Sequence, residues 1–260
     1  MALFDFDELQ IYRGSDIPVT ESITVKIPTL EDIATFGEKE YFSAVHTYTS
    51  VGADLKYQLW DIGIDYTEIE DYDLFINLIS QIMSAKPQNE NDDKDRKEVE
   101  RINPVSLFLK DIDFAEFETY KYNEKDIVLY NKDKDIVFGR TAYLKSVELI
   151  RLIHGLKRND ELPGNERTKM DMIQDARDEA MTFKSKPYKS VLKPLISTLQ
   201  VKCGQCGDDK VWNMPVSMFF ENIRRIGKIQ DAECLLNGAY SGFASLKGVD
   251  KNRLNMFNDI

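Results

Sequence analysis

Ile23, Val25 and Ile27 alternate with polar residues up to Pro28, a period-two pattern that predicts a short strand ended by a residue with no backbone donor. From Thr29 the period becomes helical. Thr29-x-x-Asp32 is a weaker form of the capping box, and Leu30, Ile33, Tyr41, Val45 and Tyr48 give an apolar face through about Thr49, with Gly37 inside it. A second helix starts near Ala53, carries Leu55, Leu59 and Ile62, and stops at Gly63; a third, capped by Asp71, carries Phe75, Leu78, Ile79 and Ile82. These three are expected to form a small helical unit.

Further on, Phe117 to Tyr122, Ile127 to Tyr130 and Ile136 to Phe138 read as short strands, the last two joined across Asn131-Lys-Asp-Lys-Asp as a hairpin. Thr141 is expected to cap a helix whose Leu144, Val147, Ile150 and Ile153 share a face before Gly155. Pro163-Gly164 marks a break. A highly charged helix is predicted from about Asn165 to Phe183, and another from about Tyr188 to Val201, kinked or interrupted by Pro194. The last helix has Asn213 as its cap, Pro215 in its first turn, and Phe219, Phe220, Ile223 and Ile226 at helical spacing. A tail rich in apolar and aromatic side chains follows it.

The pattern therefore predicts an α+β chain, predominantly α-helical, with a short N-terminal strand and a small central antiparallel hairpin or sheet. Between its two parts, residues 1–85 and 102–260, lies a stretch of another character. Residues 86–101, with Pro87-Gln-Asn-Glu-Asn-Asp-Asp-Lys-Asp-Arg-Lys-Glu at their centre, offer almost nothing to bury, which predicts a flexible linker or, alternatively, a solvated helical extension. The two flanking parts can still pack as one domain.

Composition narrows the partners. The 45 Asp and Glu against 34 Lys and Arg leave a formal charge of -11, which repels a phosphate backbone and argues against nucleic acid. No apolar run reaches the roughly 20 residues of a membrane span, the first residues lack the basic start of a signal peptide, and three cysteines do not make a disulfide framework. A cytoplasmic protein with no membrane partner is expected.

Candidate chemistry is sparse. Cys203-Gly-Gln-Cys206 has the spacing of half a zinc site or a redox pair, but a structural zinc needs four ligands and a redox pair a helix N-terminus. Neither context is in the sequence, so a glycine-rich turn is the simpler reading, with no metal and no cofactor assigned. Asp61, Asp65, Glu68, Glu70, Asp71 and Asp73 lack the spacing of a calcium loop and read as caps and dipole partners. His46 and His154 lie on predicted helices, and no nucleotide-binding, nucleophile-elbow or metalloprotease motif occurs. No catalytic residue is assigned and no enzyme is expected. Instead, Arg224, Arg225 and Lys228 beside Phe219, Phe220 and Ile223 make a basic rim next to an aromatic stripe, which suits a protein interface facing an acidic partner, with a solvated charged face and an internal core helix as the alternatives.

Two segments carry a resemblance: Pro28-Thr-Leu-Glu-Asp-Ile-Ala-Thr-Phe-Gly-Glu-Lys-Glu-Tyr-Phe continuing through Leu55-Lys-Tyr-Gln-Leu-Trp-Asp-Ile-Gly-Ile-Asp-Tyr66, and the stretch from Met214 to Phe257. Together they resemble tail-morphogenesis proteins of tailed bacteriophages, particularly tail assembly chaperone-like proteins of phages and prophages of Gram-positive hosts. The resemblance implies a non-enzymatic factor of the host cytoplasm that binds the helix-rich tape-measure protein and leaves as tail-tube subunits polymerise, with homo-oligomers possible for such factors. The alternative it leaves open is a structural virion component: a tail, baseplate or connector subunit.

Overall fold

The computed structural model describes residues 4–84, 103–121, 127–184, 186–204, 209–243 and 245–258. The charged stretch 86–101 and Cys206 lie outside the described residues. Helix α1 (Glu8–Arg13) is capped by the Asp7 carboxylate, which accepts from the Leu9 and Gln10 amides, and it ends at Gly14 in the left-handed region. Strands β1 (Ile17–Pro18) and β2 (Thr24–Val25) pair antiparallel, and β2 continues on its other side into 108–110, where Lys26 N–H donates to the Phe108 carbonyl at 3.0 Å. The expected N-terminal strand is therefore a short interior one.

Thr29 and Asp32 form the full reciprocal capping box of α2 (Leu30–Phe36). The chain does not continue as one helix to Thr49. Gly37 takes φ 113°, a conformation in which a Cβ is strained, so α3 (Glu38–Thr49) starts afresh, presenting Tyr41, Ala44, Val45 and Tyr48 to the core. A 3-10 turn over Gly52–Leu55 precedes the short α4 (Lys56–Asp61), and α5 (Asp71–Ser84) follows. Asp71 is the first residue of α5 rather than its cap; its carboxylate takes the Arg158 guanidinium at 3.0 Å.

Strands β3 (Glu118–Lys121), β4 (Ile127–Asn131) and β5 (Ile136–Phe138) form an antiparallel sheet in the order β3-β4-β5. Its alternation turns Leu129, Ile136 and Phe138 inward. Helix α6 (Arg140–His154) is preceded by Gly139 with no side-chain cap, so Thr141 does not have that role. Asn165 caps α7 (Glu166–Lys184) through the Thr168 amide. In α8 (Leu192–Lys202) Pro194 sits in the first turn, where its missing N–H has no intrahelical partner to lose, so the helix starts just ahead of the proline instead of kinking.

Helix α9 runs from Val216 to Tyr240, and α10 is one turn, Lys251–Leu254. Pro215, not Asn213, stands at the cap position of α9, and no side chain caps it. The backbone does so: Val216 N–H donates to the Pro28 carbonyl at 2.9 Å, while the free amides of Leu30 and Glu31 at the start of α2 donate to the Met214 and Trp212 carbonyls at 3.1 and 2.9 Å. Two helix starts, far apart in sequence, thus satisfy each other's orphan groups.

Ten α-helices and two small antiparallel sheets among the described residues make the chain α+β and predominantly helical. One main cluster of buried side chains draws on β1, β2, α3, α5, the sheet, α6, α8 and the start of α9, centred on Tyr48, Phe75, Phe108, Phe114, Phe138 and Tyr143. A satellite of Leu59, Tyr66, Leu74 and Ile173 joins α4 and α5 to α7. The first three helices accordingly do not pair off alone: α3 packs on α6, and α4 on α7. No described helix is long and apolar enough to cross a membrane.

Candidate interaction surface

Helix α9 is amphipathic in two different ways along its length. Its first turns face the core: Val216 and Phe219 are fully buried, and the Ser217 hydroxyl donates to the Ile11 carbonyl at 2.6 Å. Phe220, Ile223 and Ile226 are partly buried against the same cluster, Phe220 lying 6.5 Å from the Phe42 ring and 6.2 Å from the His154 ring. Phe219 is thus a core residue and leaves no aromatic surface for a partner. The aromatic stripe read from spacing is mostly the chain's own packing.

The three cations beside it have internal partners. Arg224 lies over Gly155, the left-handed residue that ends α6, where a guanidinium meets the negative end of the helix dipole. Glu221 accepts from both Arg224 and Arg225, at 3.1 and 3.3 Å. Arg225 also donates to the Met256 and Asn258 carbonyls at 2.8 and 2.7 Å, and Lys228 donates to the Asn258 carbonyl at 2.9 Å. One turn on, Asp231 holds Arg253 through two contacts of 3.1 and 2.8 Å. The end of the chain therefore folds back along α9, and the expected basic rim is occupied by it.

What remains open lies further along. From Glu233 onward no residue of α9 is buried, and Tyr240, Phe243 and Phe257 are 88%, 93% and 91% exposed. Burying such a side chain is worth about 1.5–3 kcal/mol; Tyr240 and Phe243 stand at the outer end of α9, and Phe257 lies farther back beside Arg225 and Ile229. Phe243 and Phe257 lie outside α9 and carry no period, which is why the pattern pointed to the C-terminal region and not to these residues.

Elsewhere the polar groups are spent on the fold. His154 is buried: its Nδ1–H donates to the Ile150 carbonyl at 2.7 Å, which leaves Nε2 to accept from the Tyr41 hydroxyl at 2.7 Å. Burial pushes this imidazole down from its ordinary value to about 4, against the weaker opposite pull of the Ile150 carbonyl. Asp71 and Asp73 stand in the first turn of α5, where they complement its dipole, and the acidic run also meets cations from distant parts of the chain: Asp61 pairs with Arg177, Asp65 with Lys169, Glu70 and Asp73 with Arg140, and Asp71 with Arg158. The Lys169 ammonium, helped by the Thr67 amide and hydroxyl, holds Asp65 down at about 2. Among the described residues no three His, Cys, Asp or Glu side chains could hold a metal ion together. Cys203 and Cys234 are free and exposed.

A shallow cleft of about 300 Å³ lies between α2 and α8, walled by Leu30, Ala34, Leu192, Ile196 and Trp212. Its one carboxylate, Glu38, accepts from the Val191 and Leu192 amides at 2.7 and 2.8 Å and so completes the start of α8. Burial raises Glu38, but the Ser190 hydroxyl and these amides together outweigh it and leave its pKa lowered. A carboxylate engaged in this way is a structural cap. Comparison with protein-family models, with curated proteins and with solved structures gives no match to the chain.

Proposed function

We propose that the chain is a non-enzymatic assembly factor, a chaperone or scaffold of bacteriophage tail morphogenesis acting in the host cytoplasm, which binds the tape-measure protein and then yields to tail-tube subunits. The observation that supports this reading best is the exposure of three aromatic side chains, Tyr240 and Phe243 at the outer end of α9 and Phe257 in the segment that lies back along it. Such side chains suit transient capture of the apolar faces of a long helical client, since each gives contact area at low entropic cost. The resemblance of the segments 28–66 and 214–257 supplies the identity of that client.

Co-expression tests it. The unmodified chain should keep the tape-measure protein soluble and co-purify with it, whereas a chain with Tyr240, Phe243 and Phe257 all changed to Ser should keep its circular dichroism and melting behaviour but lose the capture. Mass spectrometry of purified particles is the second arm. An abundant, stoichiometric band would make the protein a tail, baseplate or connector subunit and overturn the chaperone reading, as would failure to bind either tape-measure or tail-tube protein.

A further inference from the structure

The segment that lies on α9 is described chemically by what grips it. Helical spacing puts Arg225, Lys228, Ile229, Ala232 and Leu236 on one face of α9, with Asp231 at its border. On the segment, Arg225 donates to the main-chain carbonyls of Met256 and Asn258 and Lys228 to that of Asn258, while Arg225 also holds Glu221 of its own helix. Asp231 takes the Arg253 guanidinium. Met256 and Phe257 line a cleft of about 510 Å³ with Arg225 and Ile229, and Ala232 in the middle of the stripe is fully buried.

This segment is tied to little else. Its one helical turn packs on α9, and its remaining hydrogen bonds are internal, among Asp250, Asn252, Asn255 and Asn258. The connector before it is largely exposed among its described residues and turns at Gly242 and Gly248, both in the left-handed region. Arg253 and Asp231 are themselves about half exposed, so their pairing is of the weak, solvent-screened kind. Segments with few buried apolar contacts open locally without unfolding the rest.

We propose that residues 250–258 are a releasable strap, an intramolecular ligand covering a peptide-docking face on α9, and that the partner segment replacing it carries a basic residue three positions ahead of an apolar one. The occupant's chemistry follows from the seats: Asp231 for the cation, the cleft wall of Arg225 and Ile229 for the apolar side chain, and two donors that meet main-chain carbonyls whatever the sequence. This rests on the reading of the C-terminal region as the interaction surface, but its test uses no phage protein. Failure here would leave client capture by Tyr240 and Phe243 untouched.

The probe is a fluorescein-labelled synthetic peptide of residues 249–258, titrated by anisotropy against the full chain. In the unmodified protein the tethered strap competes at an effective concentration on the order of millimolar, so the peptide should bind weakly. Arg253→Glu should loosen the strap, bind the peptide at least about tenfold tighter, and raise hydrogen exchange over 225–236. Adding Arg225→Glu and Lys228→Glu should abolish that binding. An Asp231→Lys chain should refuse the unmodified peptide and accept one carrying Arg253→Glu. Equal binding by the unmodified and Arg253→Glu chains, or none by either with 225–236 equally protected, would make the segment a fixed part of the fold and overturn the proposal.

Discussion

Lowering the pH should weaken the fold through one side chain, His154. The imidazole is enclosed by Tyr41, Phe220 and its own helix, and both nitrogens are committed in the neutral form, Nδ1–H as donor and Nε2 as acceptor. Its pKa falls from an ordinary 6.5 to about 4 on folding. Between those values the unfolded chain binds a proton that the folded chain refuses. Stability from this group is therefore fully present above about pH 6.5 and is lost as the pH falls toward 4. With 1.36 kcal/mol per unit, the loss is about 2 kcal/mol at pH 5 and approaches about 3 kcal/mol near pH 4. Urea unfolding at pH 7, 6, 5 and 4.5 should be run on the unmodified chain and on His154→Phe. The carboxylates titrate in both, so the difference between the two pH profiles isolates His154, whatever the variant's absolute stability. Parallel profiles would refute the reasoning, since the imidazole would then titrate alike in folded and unfolded chains.

Phe219→Ala should cost about 3–5 kcal/mol in the same assay, because the ring is fully buried, and Phe220→Ala about half as much. Equal costs would contradict the deeper burial of Phe219. Gly155→Ala should lose roughly 1–2 kcal/mol from its left-handed φ of 64°, with a further loss from the Arg224 guanidinium that its Cβ would meet; adding Arg224→Ala should recover only the second part. Ile173→Ala should cost about 2–5 kcal/mol and speed hydrogen exchange along α7, since Ile173 is the apolar residue by which that helix enters the satellite cluster. Unchanged exchange over 166–184 would show that the ion pairs of Lys169 and Arg177 suffice.

The hairpin and α6 were legible in the sequence because their burial follows a local period. Leu129, Ile136 and Phe138 face inward by alternation, and Val147, Ile150 and Ile153 by helical spacing. Boundaries failed where a single backbone requirement decided them, as at Gly37 and Pro194. Long-range pairing was out of reach: nothing near Asp65 in the sequence points to Lys169, or near Asp61 to Arg177. On α9 helical spacing picks out Phe219, Phe220 and Ile223 as one apolar stripe, but periodicity cannot say whether such a stripe meets another molecule or its own chain, and here it packs on the core. The cations Arg224, Arg225 and Lys228 looked available for the same reason.

The mutual capping of α2 and α9 sets a clock on synthesis. Leu30 and Glu31 need the carbonyls of Met214 and Trp212 before the start of α2 is complete, and Val216 needs that of Pro28. A ribosome adding about 5–20 residues per second takes on the order of 10–40 s to cover that separation, and the tunnel delays the meeting further. Throughout that interval the Leu30 and Glu31 amides at the start of α2 stand without their carbonyl partners. The nascent chain is itself an aggregation-exposed client until its last quarter emerges, and a ribosome that stalls before Trp212 releases a chain that cannot close.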